Sequence, residues 1–194
     1  MQQLVFATNN AHKLDEVRMQ LGQRLDIFSL NDIHCDEDIA ETGLTFEENA
    51  SIKSKYIAAK YHTDCFADDS GLEVAALNGE PGVFSARYAG KHGDHAANME
   101  KVLLKLKGAN NRSAQFVTVI SLSYKGSEYF FKGVVKGSIR DELSGSAGFG
   151  YDPIFQPDGY DITFAEMTTA NKNAISHRGR AVEKLVAFLD SQAS

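Results

Sequence analysis

Leu4-Val5-Phe6-Ala7-Thr8-Asn9-Asn10-Ala11-His12-Lys13-Leu14 decides the fold class. Leu4 to Thr8 is an apolar run of strand length, and beyond Asn9-Asn10 the apolar positions Leu14, Val17 and Leu21 recur at helical spacing, so the stretch reads as strand, tight turn and helix. The alternation continues down the chain. Thr45 and Glu48 are spaced to satisfy each other's free backbone donors in a capping box, ahead of a helix expected to run to about Tyr61. Cys65-Phe66-Ala67 is a second short strand, expected to end in the acidic cluster Asp68-Asp69-Ser70-Gly71. Asp94 can cap a third helix with Met99, Val102, Leu103 and Leu106 on its apolar face, stopping before Gly108. Ala114 to about Ile139 is rich in Val, Ile, Phe and Tyr and is broken by Lys125-Gly126, which predicts a hairpin or meander. A last helix follows Ser176 and buries Ala181, Val182, Leu185, Phe188 and Leu189. Helices alternating with strands around a β-rich middle predict a mixed α/β domain, a long curved sheet with helices packed around it.

The chain has 194 residues, and at roughly 150 residues per domain it is expected to form one domain spanning residues 1–194. Hydrophobic residues make up 43% and charged residues 24%, with 16 Gly and 3 Pro, a soluble globular composition rather than a disordered or collagen-like one. No apolar run approaches the roughly 20 residues of a bilayer crossing. The N-terminus lacks a basic leader with an apolar segment, and Cys35 and Cys65 stand far apart outside any CxxC spacing, so reduced thiols in a cytoplasmic protein are expected. A formal charge of −6 gives no global attraction for nucleic acid or anionic lipid. A small anion is still a fitting partner, because a few cations gathered in one place outweigh a negative average.

The basic residues are placed against local electrostatics. Lys13 falls in the opening turn of a helix, where the partial positive charge makes a lysine unfavourable by roughly 0.3–1 kcal/mol while the free N–H groups attract phosphate. It makes sense with an anion beside it; a solvated lysine at a frayed helix start is the alternative. Ser176-His177-Arg178-Gly179-Arg180 repeats the pattern with two potential cations at the start of the last helix, although His177 alone reads equally well as a structural histidine. In Asp68-Asp69-Ser70-Gly71, neighbouring side chains point to opposite strand faces, so one Asp is expected to serve a site and the other its support. Oxygen ligands of this kind suit Mg²⁺, and an Asx-turn closing the strand is the alternative. Lys53 shares a helical stripe with Phe46, Ala50 and Ile57, where snorkelling to solvent is expected. Glu41 is a metal ligand or a loop charge. Gly148-Phe149-Gly150-Tyr151-Asp152-Pro153 offers two rings and an acid to a nucleobase, stacking being worth roughly 1–3 kcal/mol per base, or packs Phe149 and Tyr151 into the core.

Taken in order, Thr8-Asn9-Asn10-x-x-Lys13, Glu41-Thr42-Gly43-x-Thr45-Phe46, Ala67-Asp68-Asp69-Ser70-Gly71-Leu72, Pro81-Gly82-Val83-Phe84-Ser85-Ala86-Arg87-Tyr88, Gly148 to Pro153 and Ser176 to Ala181 resemble the inosine triphosphate pyrophosphatase family over nearly the whole chain. The resemblance implies two lobes with a central nucleotide cleft in a homodimeric, Mg²⁺-dependent cytoplasmic enzyme. Such an enzyme hydrolyses ITP, dITP and XTP to the monophosphate and pyrophosphate. It implies that Thr8, Asn9, Asn10, Ala11, His12 and Lys13 form a phosphate-binding loop, with Lys53 reaching the same phosphates. Asp69 matches the general base and, with Glu41, the Mg²⁺ ligands; Asp68 matches a neighbouring acid grouped with it in the catalytic pair, and Ser70 a substrate contact. Phe149, Gly150, Tyr151, Asp152, Lys172, His177 and Arg178 match nucleotide-binding and base-binding positions. Ala40 departs from relatives with a second acid before Glu41, and Tyr151 stands where the animal enzymes have Trp. Two other readings stay open: an aspartyl phosphatase, whose DxD spacing would require a carboxylate at Ser70, and a nucleotide-binding regulator without turnover.

Overall fold

A computed structural model of the chain describes residues 2–21 and 24–192. The opening run becomes β1 (Gln2–Phe6), and the chain turns into α1 (Ala11–Leu21) with the Asn10 side-chain oxygen accepting the Lys13 backbone N–H at 3.2 Å. β2 (Leu25–Phe28) follows. α2 (Phe46–Tyr61) begins on the expected capping box: the Thr45 hydroxyl accepts the Glu48 N–H and the Glu48 carboxylate accepts the Thr45 N–H, both at 3.1 Å.

β3 (Cys65–Val74) corrects the expectation that the strand ends in the acidic cluster. It runs through Asp68-Asp69-Ser70-Gly71 and on to the fully buried Leu72 and Val74. Acidic residues read as turn signals because an unpaired carboxylate does not stay in a buried strand; here partners distant in sequence hold both acids. α3 (His95–Lys105) carries its Asp94 cap, which accepts the Ala97 N–H at 3.1 Å. β4 (Ser113–Tyr124) and β5 (Ser127–Ile139) form the expected hairpin. Lys125 and Gly126 have φ of 47° and 80°, the left-handed pair that a two-residue type I′ turn requires. β6 (Phe155–Pro157), α4 (Thr169–Ile175) and α5 (His177–Gln192) complete the chain.

The six strands are ordered β2-β1-β3-β4-β5-β6, with β1 parallel to both β2 and β3 and β6 antiparallel to β5, so the expected mixed sheet is present. The chain divides into two compact units: one combines the residues up to Asp69 with Thr118–Gly133 and the chain from Arg178; the other combines Ser70–Val117 with Val134–His177. β3, β4 and β5 each contribute to both units.

In the first unit, strand alternation sorts the core into two layers. Leu4, Phe6 and Phe66 pack with Val17 and Leu21 of α1, Ile120 and Leu122 of β4, and Ala181, Val182, Leu185 and Leu189 of α5. Val5, Ala7, Cys65 and Ala67 pack with Ile57 of α2, Leu30 and Cys35. Both cysteines are buried and free, as expected. In the second unit, Phe116 lies edge-on to Phe155 and stacked on Phe164, amid Leu72, Val102, Leu106, Ile139 and Ile154. Gly137 pairs with Pro157 there, and a Cβ on it would come within 2.2 Å of the Gln156 carbonyl oxygen. Among the described residues, no helix is long and apolar enough to cross a membrane.

Candidate active site

β3 presents Phe66 and Asp68 to the layer of α1 and α5, and Ala67 and Asp69 to that of α2. Adjacent acids therefore receive different partners. On the first face, Lys13 Nζ donates to Asp68 Oδ1 at 3.0 Å, and Nε and Nη2 of Arg178 both donate to Asp68 Oδ2 at 3.3 Å. Arg178 Nη1 donates to the Glu16 carboxylate. Burial alone would raise the Asp68 carboxyl; the charges of Lys13, Arg178 and Lys53 outweigh it and hold the group well below the ordinary range. For Lys13, burial lowers the ammonium, opposed by the charge of Asp68. The two cations that begin α1 and α5 against the helix dipole thus converge on one carboxylate. An anion does sit beside Lys13, and the chain supplies it.

On the second face, Asn49 Nδ2 of α2 donates to Asp69 Oδ2 at 3.0 Å. Burial raises the Asp69 carboxyl and the Glu41 charge adds to it, against the opposing charges of Lys53 and Lys13. Lys53 Nζ donates to the Asp68 carbonyl oxygen at 2.7 Å and to the Glu41 carboxylate. Burial would lower the Lys53 ammonium, but Glu41, Asp68 and Asp69 more than offset it. The snorkelling expected of Lys53 is therefore corrected: its side chain is 12% exposed and ends on partners within the unit. A carboxylate biased toward holding a proton beside one that stays ionised is the arrangement acid–base chemistry uses.

The loop before α1 is held by its own polar groups. The Asn10 N–H donates to Thr8 Oγ1 at 3.2 Å, and the Thr8 N–H to the Phe6 carbonyl at 2.9 Å. Asn9 is exposed in this loop, and Ala11 and His12 are exposed in the first turn of α1.

In the second unit, Asp152 Oδ2 accepts the Phe149 N–H at 2.8 Å and Lys172 Nζ at 2.7 Å, and both Asp152 and Lys172 are buried. Gly148 has φ 74°, and a Cβ on it would fall 2.1 Å from Asp152 Oδ2, so only glycine permits this loop to close on its acid. Lys172 Nζ lies 4.8 Å from the centre of the half-buried Phe149 ring. Tyr151 is a core residue whose hydroxyl donates to the Ser85 carbonyl at 2.7 Å, the packing alternative weighed for this loop. His177 stacks on Phe116 with ring centres 4.7 Å apart. Ser70 is half-buried on β3.

Sequence reasoning missed Glu16 and Asn49. Glu16 lies one helical turn after Lys13, on the same face, and Asn49 stands in the stripe of Phe46, Ala50 and Lys53; a polar residue inside such a stripe was the available signal.

Among the described residues no group of three or more His, Cys, Asp or Glu forms a metal cage. Asp69 and Glu41 supply carboxylate oxygens only, and Lys53 is the cation that lies on Glu41 in this structure. That set fits Mg²⁺, which takes one or two carboxylates and completes its shell with water and substrate phosphate.

A model of the Ham1 family matches residues 4–188. The dITP/XTP pyrophosphatase of Flavobacterium johnsoniae is 53% identical over 186 residues, covering 96% of this chain and 97% of that protein. The dITP/XTP pyrophosphatase of Porphyromonas gingivalis is 48% identical, covering 97% and 98%. The solved structure of the Staphylococcus aureus Ham1 protein superposes with a TM-score of 0.90 at 44% identity, covering 98% of this chain and all of that one. These likenesses bear out the resemblance read from the motifs.

Proposed function

Because this chain belongs to the Ham1 family, we propose that it is a nucleoside triphosphate pyrophosphatase, hydrolysing dITP, XTP and ITP to the monophosphate and pyrophosphate and so removing deaminated purines from the nucleotide pool. The observation that carries the reading is the different set of partners given to the neighbouring acids on β3: Asp68 bonded to Lys13 and Arg178, and Asp69 buried against the Asn49 amide. Asp69 takes the proton of a water as that water attacks the α-phosphorus and the bond to the leaving pyrophosphate breaks. Lys13 and Lys53, with the loop from Thr8 through Asn9, Asn10, Ala11 and His12, grip the phosphates, and Ser70 adds a contact. Asp69 and Glu41 would hold Mg²⁺, which when bound neutralises phosphate charge and acidifies water.

Phe149, Gly150, Asp152, Lys172, His177 and Arg178 are assigned to the nucleotide and its base, and Tyr151, first matched to the same set, anchors their loop from the core. Hypoxanthine and xanthine carry an acceptor oxygen where adenine carries an amino group, so a donor from His177 or Arg178 is satisfied by the former and left unpaired by the latter. Residues 1–194 act as one catalytic domain, in a cytoplasmic homodimer without nucleic-acid or membrane partners. Incubation with dITP or ITP and Mg²⁺, followed by product identification, tests the reading. Pyrophosphate supports it; orthophosphate indicates a phosphatase, and unchanged nucleotide a binding protein.

A further inference from the structure

Asn49 lies fully buried on α2, alongside the buried Phe46, Ala50, Ser54 and Ile57 of the same helix. Its two ends are used differently: Oδ1 accepts the Gly43 N–H at 2.8 Å, and Nδ2 donates to Asp69 Oδ2 at 3.0 Å. A flipped amide would turn its NH₂ on the Gly43 donor and its carbonyl on the carboxylate, so a single orientation satisfies both neighbours. Gly43 is fitted to this contact, since a Cβ there would lie 2.6 Å from Glu48 Cβ and 2.8 Å from Asn49 Oδ1. Glu48 fastens the next two residues by accepting the Leu44 N–H at 2.6 Å and the Thr45 N–H at 3.1 Å. The backbone just beyond Glu41 is thereby tied to the first turns of α2, and α2 to Asp69.

We infer that Asn49 is a positioning residue for Asp69, its amide coupling the Glu41-bearing loop to β3 and fixing the Asp69 carboxylate in the orientation used for catalysis. Aspartate keeps the acceptor for Gly43 but loses the donor to Asp69; alanine loses both. The inference rests on the pyrophosphatase reading above.

Asn49→Asp and Asn49→Ala in the full chain, assayed with dITP and Mg²⁺, are expected to lose about 10–100-fold in kcat, the usual effect of removing a partner of a metal-site carboxylate. KM is expected to stay within about twofold, because phosphate and base contacts are untouched. Should Asn49→Asp not fold, Asn49→Ala and Gly43→Ala carry the same test. A crystal structure of Asn49→Ala is expected to show the Asp69 carboxylate displaced. Wild-type kcat in a folded Asn49 variant, a rise in KM alone, or an Asp69 unmoved in Asn49→Ala each overturn the inference while leaving the pyrophosphatase reading intact. A wild-type protein that releases no pyrophosphate from dITP sinks that reading and this inference with it.

Discussion

The two faces of β3 within the first unit solve one problem in opposite ways. On the α1 and α5 face, a buried carboxylate is saturated with cationic donors and stays an anion; on the α2 face, its neighbour has a neutral amide donor and is pushed toward protonation. A strand places consecutive side chains in separate environments, so two identical residues separated by one peptide bond acquire different chemistry. The first face fixes its acid as an anion, and the second leaves its acid buried beside a neutral donor.

The largest expected effect falls on the first face. Asp68→Asn leaves Lys13 and Arg178 buried and under-compensated, and breaking such a pair costs about 3–5 kcal/mol, measurable by urea denaturation at neutral pH. Because the folded Asp68 pKa is depressed, its stabilisation is fully present above the unfolded value of about 3.9 and is lost as pH falls through the folded value. The gap between wild type and Asp68→Asn should therefore close as the solution is taken below about pH 4. A gap that does not shrink as pH falls from about 4 toward the folded value would assign the effect to packing rather than charge.

Next comes Asp69→Asn, expected to lower kcat at least about 100-fold through loss of a general base. Its stability should move the other way. A raised folded pKa means that ionising Asp69 disfavours the folded state as pH climbs from about 3.9 through that value, so the neutral amide should hold or raise Tm at pH 7. A fall in Tm matching that of Asp68→Asn would erase the distinction between the faces. The smallest change sharpens the comparison from the α2 side: Thr45→Ala removes the cap of the helix that carries Asn49 and Lys53, and should cost about 1 kcal/mol without altering the acid limb set by Asp68.

What the chain revealed before its fold was known follows from range. Thr45 with Glu48, Asp94 with Ala97, and Lys125-Gly126 each settle an element boundary within a few residues, so they read correctly from local chemistry. Asp68-Asp69 misread as a strand end because the groups that make them tolerable, Lys13, Arg178 and Asn49, lie 55, 110 and 20 residues away. β2, only four residues long and carrying Asp26, exists because it pairs with β1, which no local pattern announces. Glu16 stayed unnoticed as a site residue for the same reason: its partner is 162 positions distant.

The reach of Arg178 also bears on synthesis. Its guanidinium joins α5 to carboxylates that leave the ribosome far earlier, so a nascent chain exposes Glu16 and Asp68 without that counter-charge until α5 has emerged. The first unit therefore cannot mature as an early N-terminal intermediate, and a chain arrested before α5 should be recognised by chaperones and proteases as incomplete.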